Sequence, residues 1–278
     1  MPWIPELFSA PVLARFEEER RLELASVPFF DGLVAGELAP LVESFAGEPE
    51  VHHPVRGRVR GVAAFESFVA EMNAWLDGRN ASVEDVERVV APRHGFEEVV
   101  LHLDGGNGRI DLPVAIVTDK QADKRIDEVR IYFSSWPLTG RHANRPPLLQ
   151  ADRQQRLPEA VAAFQRALAA GDVDAIVALF EPDGYVREPG GAQYVHRGHA
   201  DLRAFYRLLF SNGGGIPLEH CAVIDDGRSC ALEYNEVRWG RTELPPQAGI
   251  VVHVQGQSGK LAAVRIYDDV ERPIERET

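Results

Sequence analysis

The sequence predicts an α+β protein made of two tandem copies of one unit, each with three helices packed on a curved antiparallel sheet. The first observation is that residues 33–55, LVAGELAPLVESFAGEPEVHHPV, resemble a stretch beginning at residue 168, LAAGDVDAIVALFEPDGYVREPGG. Their glycines, Gly36 and Gly171, are 135 positions apart. The second is the tetrapeptide VRIY, which begins at residues 129 and 264 and keeps that offset. The third is that helical apolar stripes precede β-branched runs in both copies. A shared offset at both ends of a long segment indicates duplication.

The repeat divides the chain into four parts. Residues 1–24 form an N-terminal extension, which we expect to be helical over residues 12–24. The first unit covers residues 25–139, and the second covers residues 153–278. Residues 140–152, GRHANRPPLLQAD, are rich in proline and polar side chains, which is typical of a linker.

The second unit shows the order of elements most clearly. Phe164 and Leu168 lie on one face of a first helix, which Gly171 ends, and Asp172 is placed to cap a second helix. A third helix carries a stripe at the spacing of a core-facing surface, namely Leu202, Phe205, Tyr206 and Leu209. Strand-like runs follow at residues 230–239, 249–254 and 261–267. Helices on the concave side of a curved sheet enclose a cone-shaped pocket.

Composition and charge limit the partners of this chain. Its 278 residues carry a formal net charge of −13, which disfavours nucleic acid and anionic membranes. No run approaches the ~20 apolar residues that a membrane span needs, and the acidic N-terminus lacks the features of a secretory signal. The two cysteines, Cys221 and Cys230, fit neither a disulfide framework nor a zinc site. We therefore expect a soluble, cytoplasmic protein with buried thiols.

The second unit resembles the nuclear transport factor 2 superfamily, which includes ketosteroid isomerases, SnoaL-like polyketide cyclases and polyether epoxide hydrolases. The likeness is carried by ALAAGDVDAIVALFEPDGYVREPGG, HRGHADLRAFY and SGKLAAVRIY, and it covers most of residues 160–270. The first unit is included largely through its match to the second. The resemblance implies cone-shaped barrels that pair, so two copies in one chain would form an internal pseudo-dimer. The resemblance is also compatible with a homodimer of two such chains.

The resemblance places Glu188 at the position of the catalytic base, which in ketosteroid isomerases is a carboxylate directly before a proline. An apolar surrounding disfavours the charged form of a carboxylate, which would suit Glu188 to move protons. The isomerases stabilise an oxyanion with a tyrosine and a protonated aspartate. Phe164 and, approximately, Val251 take those positions here. An enolate would lack its usual stabilisation, which argues against steroid isomerisation by that mechanism.

Strand alternation supplies further candidates in the second unit. It places Asp268 on the same face as Val264, near the mouth of the cavity if Val264 faces inward, and it turns His253 inward if Val251 points inward. Asp268 with Asp269 is also typical of a turn. A lone histidine such as His253 is also typical of a core or surface position.

Glu219 lies near the position where polyether epoxide hydrolases keep their second carboxylate. A Glu188/Glu219 or Glu188/Asp268 pair would divide the work. One acid would protonate an epoxide oxygen while the other carboxylate deprotonates the attacking hydroxyl or water.

In the first unit, His53 takes the position of Glu188. Its candidate companions are His52, His102, Asp31 and Asp111. The equivalents of Phe164, Val251 and Asp268 are Phe29, Ile116 and Phe133, so this pocket is more apolar and either binds without reacting or supports the pseudo-dimer. Adjacent residues on a strand point to opposite faces, so His52 and His53 do not share a metal ion. We expect neither a metal nor a cofactor.

Two functions remain open at this point. The first is a cofactor-independent acid–base enzyme for a hydrophobic oxygenated small molecule, acting by polyketide-type cyclisation, isomerisation or epoxide opening. The second is a non-catalytic binding or assembly module, which the missing oxyanion donors favour. In both cases we expect the pockets to be lined by Phe164, Phe180, Tyr206, Val251 and Ile266 in the second unit and by Phe29, Ile116 and Tyr132 in the first.

Overall fold

The computed structural model describes residues 38–90, 93–106, 108–121 and 125–271. The N-terminal extension, Phe29 and Asp31 lie outside these residues. The described helices are α1 (Leu38–Glu43), α2 (Val62–Asp77), α3 (Trp136–Thr139), α4 (Glu159–Ala170), α5 (Val173–Ala178) and α6 (Gly198–Leu209). None of these helices is long and apolar enough to cross a membrane.

The strands fall into two sets of six. The first set is β1 (Glu50–His53), β2 (Gly57–Arg60), β3 (Ser82–Val90), β4 (His94–Gly105), β5 (Gly108–Lys120) and β6 (Ile126–Tyr132). The second set is β7 (Phe180–Arg187), β8 (Val195–Arg197), β9 (Leu218–Asp225), β10 (Ser229–Trp239), β11 (Thr242–Gln255) and β12 (Leu261–Tyr267). We call β1–β6 with α1 and α2 the first unit, and α4–α6 with β7–β12 the second.

Local sequence signals set the helices of the second unit. Helix α4 ends at Gly171, whose left-handed backbone (φ 70°) suits glycine. Asp172 then caps α5, because its side chain accepts a hydrogen bond of 3.0 Å from the backbone N–H of Ala175. The predicted break between the two helices is therefore confirmed.

The two sheets have the same strand order. It is β2-β1-β6-β5-β4-β3 in the first unit and β8-β7-β12-β11-β10-β9 in the second. The register repeats as well, since Val51 pairs with Val129 in one sheet and Val186 pairs with Val264 in the other. The α+β architecture of two tandem sheet units is therefore confirmed, while the unit boundaries at residues 25–139 and 153–278 stay a prediction.

One ladder in each sheet corrects the expectation of purely antiparallel sheets. Strand β1 runs parallel to β6, and β7 runs parallel to β12. The remaining ladders are antiparallel, so both sheets are mixed. Side chains alternate in the same way in parallel and antiparallel strands, so sequence periodicity indicates a strand without giving its direction.

The central strands of each sheet are buried on both faces. The concave faces pack against helices and form two separate apolar cores, one around Phe65 and one around Phe164. The opposite faces form a third core that includes Val117 of the first sheet and Val252 of the second. The two units therefore pack back to back, with their cavities on the outer sides.

Two buried ion pairs cross this interface in a reciprocal arrangement. Arg130 holds Glu233 through two hydrogen bonds, 2.7 Å from Nε to Oε1 and 2.9 Å from Nη2 to Oε2. Arg265 holds Glu98 in the same bidentate way, with Nε 2.8 Å from Oε1. Glu98 and Glu233 are 135 positions apart, as are the two arginines. The interface is thus self-complementary, as in a two-fold dimer.

Tyrosines complete both ion pairs and correct one predicted pocket residue. The hydroxyl of Tyr132 donates to Glu233 Oε1 at 2.6 Å, and the hydroxyl of Tyr267 donates to Glu98. Tyr132 therefore lies in the interface and not in the cavity of the first unit. On β6 the cavity side is occupied by Val129 and Ile131, so alternation sends Tyr132 to the opposite face.

Candidate functional site

The concave side of the second sheet encloses a cavity of about 360 Å³. This volume lies within the ~300–1,000 Å³ typical of small-molecule sites. Its apolar wall comes from helices α4 and α6 and from strands β11 and β12. The predicted pocket residues among its lining are Phe164, Tyr206, Val251 and Ile266.

Two acidic side chains and a tyrosine form one polar part of this cavity. The hydroxyl of Tyr234 donates to Asp268 Oδ2 at 2.6 Å. Glu236 is only 3% exposed and also lines the cavity. We call Tyr234, Glu236 and Asp268 the acidic cluster.

Burial raises the pKa values of the two carboxyl groups to different extents. Burial, reinforced by the nearby negative charge of Asp268, raises the pKa of Glu236 well above its usual range. Burial raises the pKa of Asp268 to about 6, against the opposing effect of the hydrogen bonds from Tyr234 and from the backbone of Val270. Near neutral pH, Glu236 therefore keeps its proton while Asp268 is mostly ionised.

The local sequence explains why these groups meet. Leu232, Tyr234 and Glu236 alternate along β10 toward the cavity, while Glu233 points into the interface between the units. Gly249 lies opposite Tyr234 on β11. A Cβ atom at this glycine would lie 2.6 Å from the tyrosine ring, so glycine leaves the space in which the ring reaches Asp268.

We expect Gly249→Ala to destabilise the protein by about 1–3 kcal/mol, because the added methyl group overpacks a filled site. The methyl group would also push the Tyr234 ring away from Asp268. Urea unfolding measures the cost, with Gly47→Ala as the control because no atom lies within 4 Å of its added Cβ. Equal stability of the two variants would contradict the tight fit.

Glu188 lies where β7 ends and also lines the cavity. Its Oε1 is 2.6 Å from Nε2 of His196, whose ring stacks on Phe205 with centroids 4.2 Å apart. The side chain of Glu188 is 37% exposed. Glu188 therefore lines the cavity with a histidine partner and access to solvent.

The mouth of the cavity is built partly by the segment that joins the two units. Trp136 in α3 and His142 line the cavity, and their rings stack with centroids 5.0 Å apart. Asp269 anchors this segment because it accepts hydrogen bonds from both Ser134 and Ser135 and lies 2.9 Å from His142 Nδ1. Asp268 thus faces the cavity, whereas its neighbour Asp269 holds the segment that forms the rim of the cavity.

Three predicted residues of the second unit lie away from the cavity lining. His253 is fully buried behind Phe164, with ring centroids 5.2 Å apart, and burial lowers its pKa to about 3. Phe180 is also fully buried and packs against Phe164. Glu219 is exposed on β9. Alternation predicts the side of a strand correctly for His253, but the helix that covers that side decides which residues reach the cavity.

The first unit has a cavity of about 490 Å³ lined by His53 and Phe133. Nδ1 of His53 accepts hydrogen bonds from the backbone N–H groups of Val55 and Arg56, at 3.2 and 3.1 Å. Burial lowers the pKa of His53 to about 3. The ring of His53 is thus neutral, and its Nδ1 atom already accepts hydrogen bonds from the backbone. Ile116 is buried in the core and does not line the cavity.

Three of the proposed companions of His53, namely His52, His102 and Asp111, are described by the structure and lie outside this cavity lining. His52 is on the opposite face of β1, where its Nε2 is 3.1 Å from Glu50 and 3.4 Å from Glu128. His102 lies between Asp111, at 2.7 Å, and Glu84, at 2.8 Å. These histidines therefore contact carboxylates on the sheet and do not reach His53.

Sequence reasoning missed several groups of the second cavity. Alternation along the predicted strand at 230–239 could have identified Tyr234 and Glu236, because Leu232 shares their face. Trp136 and His142 carry no such signal, because they come from the end of the first unit and from the linker. His196 is revealed only by its contact with Glu188.

The family model of the SnoaL-like domain matches residues 161–264. Among solved structures, the epoxide hydrolase/cyclase-like enzyme SalBIII, described for its role in pyran ring formation in the polyether salinomycin, is 16% identical. Its TM-score is 0.33, over 41% of this chain and 90% of that one. A Catenulispora acidiphila protein with a ketosteroid isomerase-like fold, in complex with trimethylamine, is 17% identical with a TM-score of 0.34, over 42% and 90%.

A nuclear transport factor 2-like protein from Anabaena variabilis is 16% identical with a TM-score of 0.34, over 41% of this chain and 87% of that one. No curated protein matches the chain. The family match begins in α4 and ends in β12, so it contains most of the helices and strands that enclose the second cavity but neither Asp268 nor Trp136. Residues 161–264 of this chain are therefore similar to the SnoaL-like domain.

Proposed function

We propose that the second unit is a cofactor-independent acid–base enzyme that acts on a hydrophobic oxygenated small molecule. The observation that supports this proposal is the acidic cluster in an otherwise largely apolar cavity. One carboxyl group is protonated near neutral pH and its neighbour is ionised, which gives a general acid and a general base side by side. Opening of an epoxide by a hydroxyl group or water is the reaction that uses both.

Each member of the cluster has a role in this reaction. Asp268 accepts the proton of the attacking hydroxyl as its oxygen bonds to an epoxide carbon. The carbon–oxygen bond of the epoxide breaks as Glu236 gives its proton to the leaving oxygen. Tyr234 holds the Asp268 carboxylate in place through its hydrogen bond of 2.6 Å. Transfer of one proton from Asp268 to Glu236 then restores the starting state.

The pH dependence of turnover tests this assignment. We expect kcat/KM to fall about tenfold per pH unit below pH 6, because the base Asp268 becomes protonated there. The measurement uses a panel of apolar hydroxy-epoxides, with Glu219→Gln as a control that should keep the same profile because Glu219 is exposed outside the cavity. No conversion across the panel, or a flat profile between about pH 5 and 7, would contradict the proposal.

A non-catalytic binding role is the second candidate, and the first unit favours it for its own cavity. Phe133 stands there at the position of Asp268, and the Nδ1 atom of His53 is occupied by two backbone donors. We propose that the first cavity binds or supports the fold without doing chemistry. His53→Gln should then leave turnover by the intact protein unchanged.

A further inference from the structure

The charge of the second cavity is one-sided. Three carboxyl side chains line it, namely Glu188, Glu236 and Asp268. Among the described residues, no lysine or arginine side chain contributes to the lining. An anionic ligand would meet like charge without a fixed cation to offset it, whereas a cationic ligand would meet complementary charge.

Two aromatic rings lie close to Gly190 at the mouth of the cavity. The Cβ position of Gly190 is 3.5 Å from the ring of Tyr194 and 3.9 Å from the ring of Trp136. Both residues line the cavity, and they are 44% and 43% exposed. One face of the Trp136 ring stacks on His142, and the exposed faces of such rings attract cations.

Glu188 completes this arrangement. It lies two residues before Gly190 and lines the same cavity. Among the contacts of the described residues, His196 engages only Oε1 of its carboxylate. Two aromatic rings beside a carboxylate recognise alkylated ammonium groups, because the rings favour the diffuse positive charge and exclude water from the alkyl groups.

The neighbouring strands place more negative charge nearby. Strands β7 and β12 run parallel, and Arg187 is paired with Arg265. Glu188 follows one residue beyond this pair and Asp268 three residues beyond it, so both carboxyl groups lie at the same ends of adjacent strands. A cation at the mouth would thus be attracted by the acidic cluster as well as by Glu188.

We propose that the second cavity takes a hydrophobic substituted ammonium ion, with its alkylated nitrogen at Trp136, Tyr194 and Glu188 and its apolar body in the cone. The ammonium ion would be the substrate class of the proposed enzyme. Its turnover depends on the proposed function, whereas its binding does not. The substrate would carry the ammonium group near the oxygenated carbon on which the acidic cluster acts.

Binding of benzyltrimethylammonium, measured by calorimetry on the full chain, tests the proposal without any turnover. The comparison ligands are neopentylbenzene, in which carbon replaces the charged nitrogen, and phenylacetate, which is an anion. We expect the cation to bind about tenfold or more tightly than neopentylbenzene, as a desolvated cation–aromatic contact predicts, and phenylacetate to bind weakest.

Matched variants locate the site of binding. Glu188→Gln and Trp136→Leu should each weaken binding of the cation several-fold and leave neopentylbenzene nearly unaffected. Trp136→Phe keeps an aromatic face and should retain most of the affinity, and Glu219→Gln should change nothing. Equal affinity for the cation and neopentylbenzene, or no binding of the cation, would overturn the proposal. Tight cation binding without turnover of any substrate would uphold it and count against the proposed enzyme instead.

Discussion

Glu233→Ala is expected to lower the free energy of unfolding by about 3–5 kcal/mol, which is the usual cost of removing one partner from a buried ion pair. Glu233 is 2% exposed and Arg130 is 1% exposed, so the arginine would lose its partner inside the protein and not in water. Arg130 would keep its contacts with Asp119 and Glu128 but lose its most buried carboxylate partner, and the hydroxyl of Tyr132 would lose its acceptor as well. Denaturant unfolding followed by circular dichroism measures this change.

Two further variants control this experiment. Glu98→Ala removes the equivalent carboxylate from the other ion pair and should cost a similar amount. Glu71→Ala breaks an ion pair with Arg56 whose side chains are about half exposed, and it should cost at most about 1 kcal/mol. A Glu233→Ala variant as stable as Glu71→Ala would show that Arg130 finds other partners, since it also contacts Asp119 and Glu128.

Asp268→Asn should reduce kcat by about 10²–10⁴-fold, the usual contribution of a general base. An asparagine side chain keeps the size of Asp268 and can still meet the Tyr234 hydroxyl, but it accepts no proton at neutral pH. Removal of the negative charge would also lower the pKa of Glu236, because Asp268 is one of the two causes that raise it. The loss should therefore fall mainly on the chemical step, with a smaller weakening of cation binding because Asp268 contributes negative charge to the cavity.

Single-turnover kinetics and calorimetry separate these two effects. The matched control is Asp201→Asn, which makes the same chemical change at an exposed position of α6. We expect the control to keep full turnover and both variants to bind benzyltrimethylammonium. If Asp268→Asn turned over substrate at the rate of the control, Asp268 would have no role as the base.

The sequence predicts the fold well because its signals are local and occur twice. Gly171 and Asp172 mark a helix end and a helix cap wherever they occur, and the offset between the two VRIY segments aligns the sheets. The direction of β7 relative to β12 follows from chain topology, which periodicity does not encode. The expectation of an antiparallel sheet was therefore wrong at that ladder.

The candidate site was harder to predict because it depends on contacts between distant segments. Asp268 follows from alternation on β12, but its meeting with Glu236 requires the pairing of three strands. His253 shares the inward face, yet Phe164 and helix α4 lie between it and the open space. No pattern within the second unit indicates that Trp136, from another part of the chain, forms the rim of its cavity.

The two buried ion pairs across the interface also constrain which substitutions this chain can accumulate during evolution. Each half holds the counter-charge that the other half needs, so loss of either half would leave unpaired charges and an uncovered apolar sheet face on the remaining one. If the first half has no chemistry of its own, as proposed, it would be retained for its surface, and its cavity would be free to diverge. Changes at Glu98 or Arg265 should accordingly be tolerated only together, whereas those around His53 should be tolerated one at a time.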